Sequence, residues 1–306
     1  MNRTRLNNFY RQFELFLLCI PAMIIFLLFY YLPMSGLVLA FKDFKPLLGI
    51  WGSPWNGLRN FEFFVRSSLI IDVTRNTLLY NGAFIIFTPI CSVLTAIFLF
   101  EIGKKTYIKI YQSIFFLPYF LSWVTVSIMV YAFLNTERGI INSFLLRLGN
   151  EPVSWYSDLR PWPFIIIFMG LWKRVGYNTV IYYAGLVGIN PGLYESALID
   201  GANGIQRTLY ITIPMLRPLV VVMTILGLGR LLFADFGLHF QVPLQSGPLL
   251  PAVDVINYFT YRALIDLRDY GMGTAIGLYQ SLVGFLLVIL SNWAARRVSG
   301  DGKALF

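Results

Sequence analysis

The sequence predicts an all-α membrane protein with six transmembrane helices. Three observations predict it. Only 13% of the 306 residues are charged and 57% are hydrophobic, whereas soluble domains carry roughly 25% charged residues. Mean hydropathy is +0.67. Uncharged or nearly uncharged runs of span length recur six times, with short polar connections between them. A net charge of +9 would point to nucleic acid in a soluble chain. Here it is read as basic residues flanking spans, beside anionic headgroups, with no nucleic-acid partner.

The N-terminus is basic and polar, with Arg3, Arg5 and Arg11. A first span follows at 15–32; its core is too long for a signal peptide and no small-residue cleavage site follows it. Pro33 to Arg75 is rich in Gly, Pro and Trp, the composition of an ordered surface segment with interfacial aromatics. Further spans are expected at 77–100, 113–133, 163–186, 218–237 and 274–293, with Pro89 and Pro118 kinking theirs. Six spans put both termini on one side. The segments on that side carry eleven Lys and Arg against ten on the other, in about two-thirds of the length. That side is therefore expected to be cytoplasmic. No repeat or low-complexity linker suggests a second domain, so 1–306 is expected to be one transmembrane domain.

Cys19 and Cys91 fall inside apolar runs, where buried thiols are the expectation. His239 is the single histidine and has no zinc-like spacing around it, so neither a metal nor His-based catalysis is expected.

The polar island at 190–217 stands apart. Leu193 to Asp200 is expected as a short amphipathic helix ended by Gly201, which can adopt a positive φ. A second short helix from Gly204 to about Tyr210 is closed off before Pro214 and Pro218. Charged Glu195, Asp200 and Arg207 cannot lie unpaired in hydrocarbon. The island must sit at a membrane surface and face a partner.

Glu195, Ala197, Gly201, Ile211 and Pro214, with Asp200 and Ala202 completing Asp-Gly-Ala, resemble the EAA loop of binding-protein-dependent ABC importer permeases. Ser196 and Ile213 stand where that loop has Ala and Leu. The segments YLPMSGLVLAFKDF, SPWNGLRNFEFF, IFFLPYFLSWVTVSIMV, DVINYFTYR and GLYQSLVGFLLVILSN resemble an alginate-importer-like carbohydrate-uptake subfamily. Its members import oligosaccharides derived from complex polysaccharides. The resemblance implies the MetI-like permease fold in a bacterial plasma membrane, with a cytoplasmic coupling helix docked in a cleft of an ATPase. It also implies three partners: an ABC ATPase dimer, a second permease that is usually a different, related chain, and an extracytoplasmic solute-binding protein. No cofactor is expected in this chain, because ATP and Mg²⁺ would be bound by the ATPase. Accordingly GDGKALF has the Gly and Lys of a phosphate loop but not its spacing.

Lys173, Arg174 and Arg230 fall near mid-bilayer, where each costs roughly 2.5–3.5 kcal/mol on insertion scales. They either hold helices together, by pairing with Asp235 or capping backbone carbonyls, or line the path and attract an anionic sugar. Trp123, Trp172, Tyr177, Tyr279 and also Tyr131 and Tyr182 offer ring faces for sugar C–H surfaces, or simply pack helices. Asn178 and Gln280 serve the path or bridge helices. Two other classes compete. An ion-coupled secondary transporter of a small polar solute needs inverted repeats and mid-depth carboxylates, and offers only Asp235. An intramembrane enzyme needs a His or Ser-His constellation, and His239 lies near a span end.

Overall fold

The computed structural model describes residues 3–299, and the regular elements in it are helices, with one isolated backbone bridge between Lys42 and Trp55. Of the eleven basic residues counted for orientation, Lys303 lies outside the described residues, as do the side chains of Arg3, Arg5, Arg11, Arg296 and Arg297. By internal packing the chain forms two units: one of 3–66 with 262–278, the other of 67–261 with 279–299.

In the first unit, α1 spans Arg3–Phe26 and passes through a wide turn at Leu27–Tyr31. A tighter turn at Ser35–Phe41 closes the segment. The apolar stretch of span length is therefore Phe16–Phe41, which ends nine residues beyond the expected span. Its side chains are almost all exposed, as lipid- or partner-facing residues must be. The Gly/Pro/Trp segment after it is held by specific bonds. Lys42 is buried, and its ammonium donates to Ile50 O and Trp51 O, both at 2.9 Å. The Asn60 amide donates to Leu39, Ala40 and Lys42 carbonyls at 3.2, 3.1 and 2.9 Å. A loop with five carbonyls claimed this way is ordered without being a helix. It leads into α2, Arg59–Arg66.

The second unit holds the helices that carry the site. α3, Ser68–Ile102, starts at the Ser67 cap, nine residues before the expected span, and ends at Gly103 with φ +68°. α4, Lys105–Phe120, and α5, Trp123–Leu134, stand where one span was expected, bent by 99° at Leu121–Ser122. Pro118 removes a ladder bond just before the break, and the Ser122 hydroxyl caps the new helix by accepting from Thr125 N at 3.1 Å. The described spans are thus five continuous helices and one broken pair. Beyond α5 lie α6, Ile140–Arg147, and α7, Trp162–Val187. α8, Pro191–Ile199, and α9, Gly204–Arg207, form the polar island.

A wide turn at Thr208–Thr212 leads from α9 into α10, Ile213–Leu228. The fifth span was expected to run to 237, but the helix stops at Leu228 and the chain unwinds from Gly229 to Ala234. Unwound backbone at membrane depth must find partners inside the protein. Here Asn81 donates to Leu231 O at 2.8 Å, Gln280 donates to Leu232 O at 2.6 Å, and Ala234 N donates to Asn257 Oδ1 at 3.0 Å. Short α11, Phe236–Gln241, follows, then α12, Ile256–Ile265, and the last span α13, Tyr270–Ser299.

The core of this unit packs Tyr80 and Phe84 of α3, Val126 of α5, Trp162 and Ile166 of α7 and Leu238 of α11. His239 is fully buried beside it, outside the spans. Its Nδ1–H donates to Val253 O at 2.9 Å, and its ring meets Tyr80 edge-on at 4.9 Å. Burial drives the imidazole pKa down from 6.5 to about 4. Between those values the unfolded chain binds the proton and the folded chain does not. The stability from neutral His239 is therefore complete above pH 6.5 and is lost as pH falls through 4, by up to roughly 3 kcal/mol. We expect the unfolding midpoint of the detergent-solubilised protein to be flat from pH 8 to 7 and to fall below pH 6. In His239→Phe that fall should be shallower; equal slopes in both proteins would refute the assignment.

Candidate functional site

Two regions gather the candidate residues. In the polar island, Asn190 caps α8 by accepting from Gly192 N at 3.0 Å. At its other end Ala202 N donates to Ala197 O at 2.9 Å and Gly201 N to Leu198 O at 3.1 Å, with Gly201 at φ +80°. This double bond pattern around a left-handed residue is a Schellman cap, and it explains why Asp200-Gly201-Ala202 takes this form. Asn203 and Gln206 then make a reciprocal capping box at 2.9 and 2.8 Å. Two caps back to back fix the angle between α8 and α9.

Glu195, Ser196 and Asp200 are exposed, and so are Leu198, Ile199 and Ile205. Ile199 is 88% exposed and Tyr210 78%. One rigid turn thus shows carboxylates and bare aliphatics together. Ala197 and Ala202 are half-buried, as are Ile211 and Tyr194; Pro214 is exposed and opens α10.

Tyr194 went unnoticed in the sequence. Its hydroxyl pairs with Thr212 Oγ1 at 3.0 Å and its ring lies 5.7 Å from Phe100. It ties α8 both to the end of α3 and to the wide turn that begins α10. The available signal was the pair Tyr194 and Ala197, three residues apart and so neighbours on one helix face.

The second region is a cavity of about 610 Å³ between α3, α7, α10 and the unwound stretch. Arg174, Asn178, Arg230 and Asp235 all line it, with Asn81 and Asn257. Arg174 lies 3.6 Å from Asp235 Oδ2 and stacks on Phe84 at 4.1 Å. Trp123 Nε1–H donates to the same carboxylate oxygen at 3.1 Å. Arg230 is exposed into the cavity and forms no ion pair among the described residues. The lining charges are therefore two guanidiniums and one carboxylate. Thr88 Oγ1 and Tyr182 Oη, buried in its wall, have no partner among the described residues.

The other candidates lie elsewhere. Lys173 turns away from the cavity: its ammonium caps Leu121 O at 2.6 Å, at the α4–α5 break, and sits 4.3 Å from the Trp123 ring centre. This is the carbonyl-capping alternative. Gln280 is buried and spent on Leu232 O and Asn257 Oδ1, so it bridges elements. Trp172 packs on the core. Tyr177 stacks on Tyr119 at 4.8 Å on another face of α7. Tyr279 is half-buried and does not line the cavity.

Residues 90–300 match the family of Binding-protein-dependent transport system inner membrane components. The chain is similar to Protein LplB of Bacillus subtilis, 33% identical over 289 residues that cover 94% of this chain and 90% of that one. It is also similar to the polygalacturonan/rhamnogalacturonan transport system permease protein YteP of the same organism, 30% identical over 293 residues, covering 95% and 90%. Among solved structures it resembles a bacterial ABC transporter involved in the import of the acidic polysaccharide alginate. The TM-score is 0.87 at 31% identity, over 97% of this chain and 100% of that one. It also resembles a bacterial alginate ABC transporter in complex with an alginate pentasaccharide-bound periplasmic protein, with TM-score 0.86 at 30% identity, over 96% of this chain and 98% of that one.

Proposed function

This chain belongs to the binding-protein-dependent inner-membrane transport components, as the non-catalytic permease subunit of an ABC carbohydrate importer, and on that premise we propose that it forms half of the path for an acidic oligosaccharide. The observation that carries the acidic reading is the charge of the 610 Å³ cavity. Asp235 is already engaged by Arg174 and Trp123, which leaves Arg230 without a counter-charge in a partly desolvated site. A sugar carboxylate supplies it, and the Asn178 and Thr224 side chains in the lining suit sugar hydroxyls. The engaged state of Asp235 also disfavours an ion-coupled transporter, which needs a carboxylate free to load its ion.

Coupling runs through the Glu195–Pro214 loop. Its partner is an ATPase dimer bearing basic residues for Glu195 and a cleft for Leu198 and Ile199. The 25-residue helix Gly204–Leu228 begins in that loop and ends at the cavity wall, where Met223, Thr224 and Gly227 line it. A pull on α8 reaches α10 through Tyr194 and Thr212, so closure of the ATPase pair moves one wall of the cavity. Two packings of the helices, biased by ATP and by the loaded binding protein, give alternating access. The second permease, a different but related chain, completes the path. Both termini and the loop face the cytoplasm, and the connectors 42–60 and 262–271 face outward.

The test is uptake by proteoliposomes holding the complete complex and sugar-loaded binding protein. Arg230→Gln should lower uptake of uronate oligosaccharides about tenfold, the equivalent of ~1.4 kcal/mol, and leave neutral ones unchanged. Equal loss on both, or loss on neither, would sink the acidic reading. A wild-type complex that moves no oligosaccharide would sink the wider one.

A further inference from the structure

The cavity and the coupling loop leave one built site unused. In the first unit, the connectors 42–44, 56–60 and 267–271 enclose a second cavity of about 430 Å³ with almost wholly polar walls. Its frame is rigid. The Asn60 amide is clamped by three carbonyls, and Asp269 Oδ1 accepts from Met272 N at 2.8 Å. Tyr270 sits edge-on to Phe44 at 5.3 Å. Arg268 is held at φ +54°, a left-handed conformation that a non-glycine residue adopts only when its surroundings impose it.

On that frame the functional groups are unspent. Asp43, Arg59 and Arg268 form no ion pair and no side-chain hydrogen bond among the described residues, although all three line one pocket. Asn56 Oδ1 is buried with no partner. Charges of both signs that face one pocket without meeting each other call for an occupant that carries both signs.

We propose that this pocket is the socket in which the permease receives a charged loop of the extracytoplasmic binding protein, an acidic group meeting Arg59 and Arg268 and a basic one meeting Asp43 and Asp269. The polar walls exclude a lipid tail. An acidic oligosaccharide would satisfy the two arginines and be repelled by the two aspartates, whereas a protein loop answers all four. The inference rests on the function proposed above, which supplies the binding protein and puts both connectors on its side of the membrane.

The experiment titrates sugar-loaded binding protein against ATP hydrolysis by the reconstituted complex, at low and high salt. The variants are Asp43→Lys alone and Arg59→Glu with Arg268→Asn, Asn being tolerant of left-handed backbone. Each should raise the half-saturating binding-protein concentration about tenfold. The salt dependence of that concentration should flatten, while hydrolysis without binding protein stays unchanged. An unchanged half-saturation overturns the proposal, as does a fall in maximal rate alone, which marks a structural role. A shift seen only in the sugar concentration needed at saturating binding protein overturns it in favour of a sugar subsite. A wild-type complex that ignores binding protein removes the proposed function as well, whereas a responsive wild type with unshifted variants removes only the socket.

Discussion

Gly201→Val is expected to cut sugar-stimulated ATP hydrolysis and uptake by about tenfold or more, while Gly201→Asn keeps most of both. A Cβ at Gly201 would meet no atom within 4 Å, so the defect has no steric origin. It comes from the backbone: φ is +80°, where a β-branched residue is disfavoured by roughly 1–2 kcal/mol and Asn is tolerated. The Schellman bonds from Gly201 and Ala202 depend on that φ, and they set the angle at which Glu195 and Ile199 would meet the proposed ATPase. Glu195→Ala is the complementary variant. Glu195 is exposed and makes no bond within the described chain, so its removal should leave the thermal midpoint unchanged and still reduce coupling, because a charge-assisted contact to the partner is worth about 1.5–3 kcal/mol. Reconstituted uptake together with thermal unfolding reads both. Full activity of Gly201→Val and Glu195→Ala would remove the loop as the coupling element.

How much of this was legible follows from whether the signal is local. The loop was, because its helix ends are written in neighbouring residues: Gly201 after Asp200 for the first, and Pro214 with Pro218 beyond the second, whereas the Asn203–Gln206 capping box went unread. The apolar runs placed the spans, and Pro118 marked the third as kinked. Apolarity does not report helix continuity, however. Leu231, Leu232 and Phe233 are as apolar as any span residue, yet the chain is unwound there. Its carbonyls are claimed by Asn81 and Gln280, 150 and 48 residues away in sequence. The same limit divided Lys173 from Arg174. Adjacent on one helix, they point about 100° apart, and only the packing decides that one caps the α4–α5 break while the other reaches the cavity.

The largest structural effect is expected at Gly176, in the middle of α7. A Cβ built there falls against the backbone carbonyl of Phe115 in α4, an atom that cannot turn aside as a side chain can. Gly170, six residues earlier, would meet the ring of Phe84, which can rotate. Small residues at helix contacts in membranes let backbones approach closely, and dispersion is gained only at that distance. Gly176→Ala should therefore lower stability by about 1–3 kcal/mol, and Gly176→Leu should prevent accumulation of folded protein. Gly82→Ala is the opposite case, a helical glycine with nothing within 4 Å, and should raise stability by up to about 1 kcal/mol through backbone entropy alone. The consequence of Gly176 reaches function, because the same approach seats Tyr177 on Tyr119 and brings Lys173 to the Leu121 carbonyl. Parting α4 from α7 would strip the cap from the broken span and release Trp123, which steadies Asp235 in the cavity. Gly176→Ala should then lose uptake at temperatures where it is still folded. Thermal unfolding of the three variants beside uptake decides it: if Gly176→Ala matches Gly82→Ala in stability, the two helices are not in backbone contact and the cavity wall is set some other way.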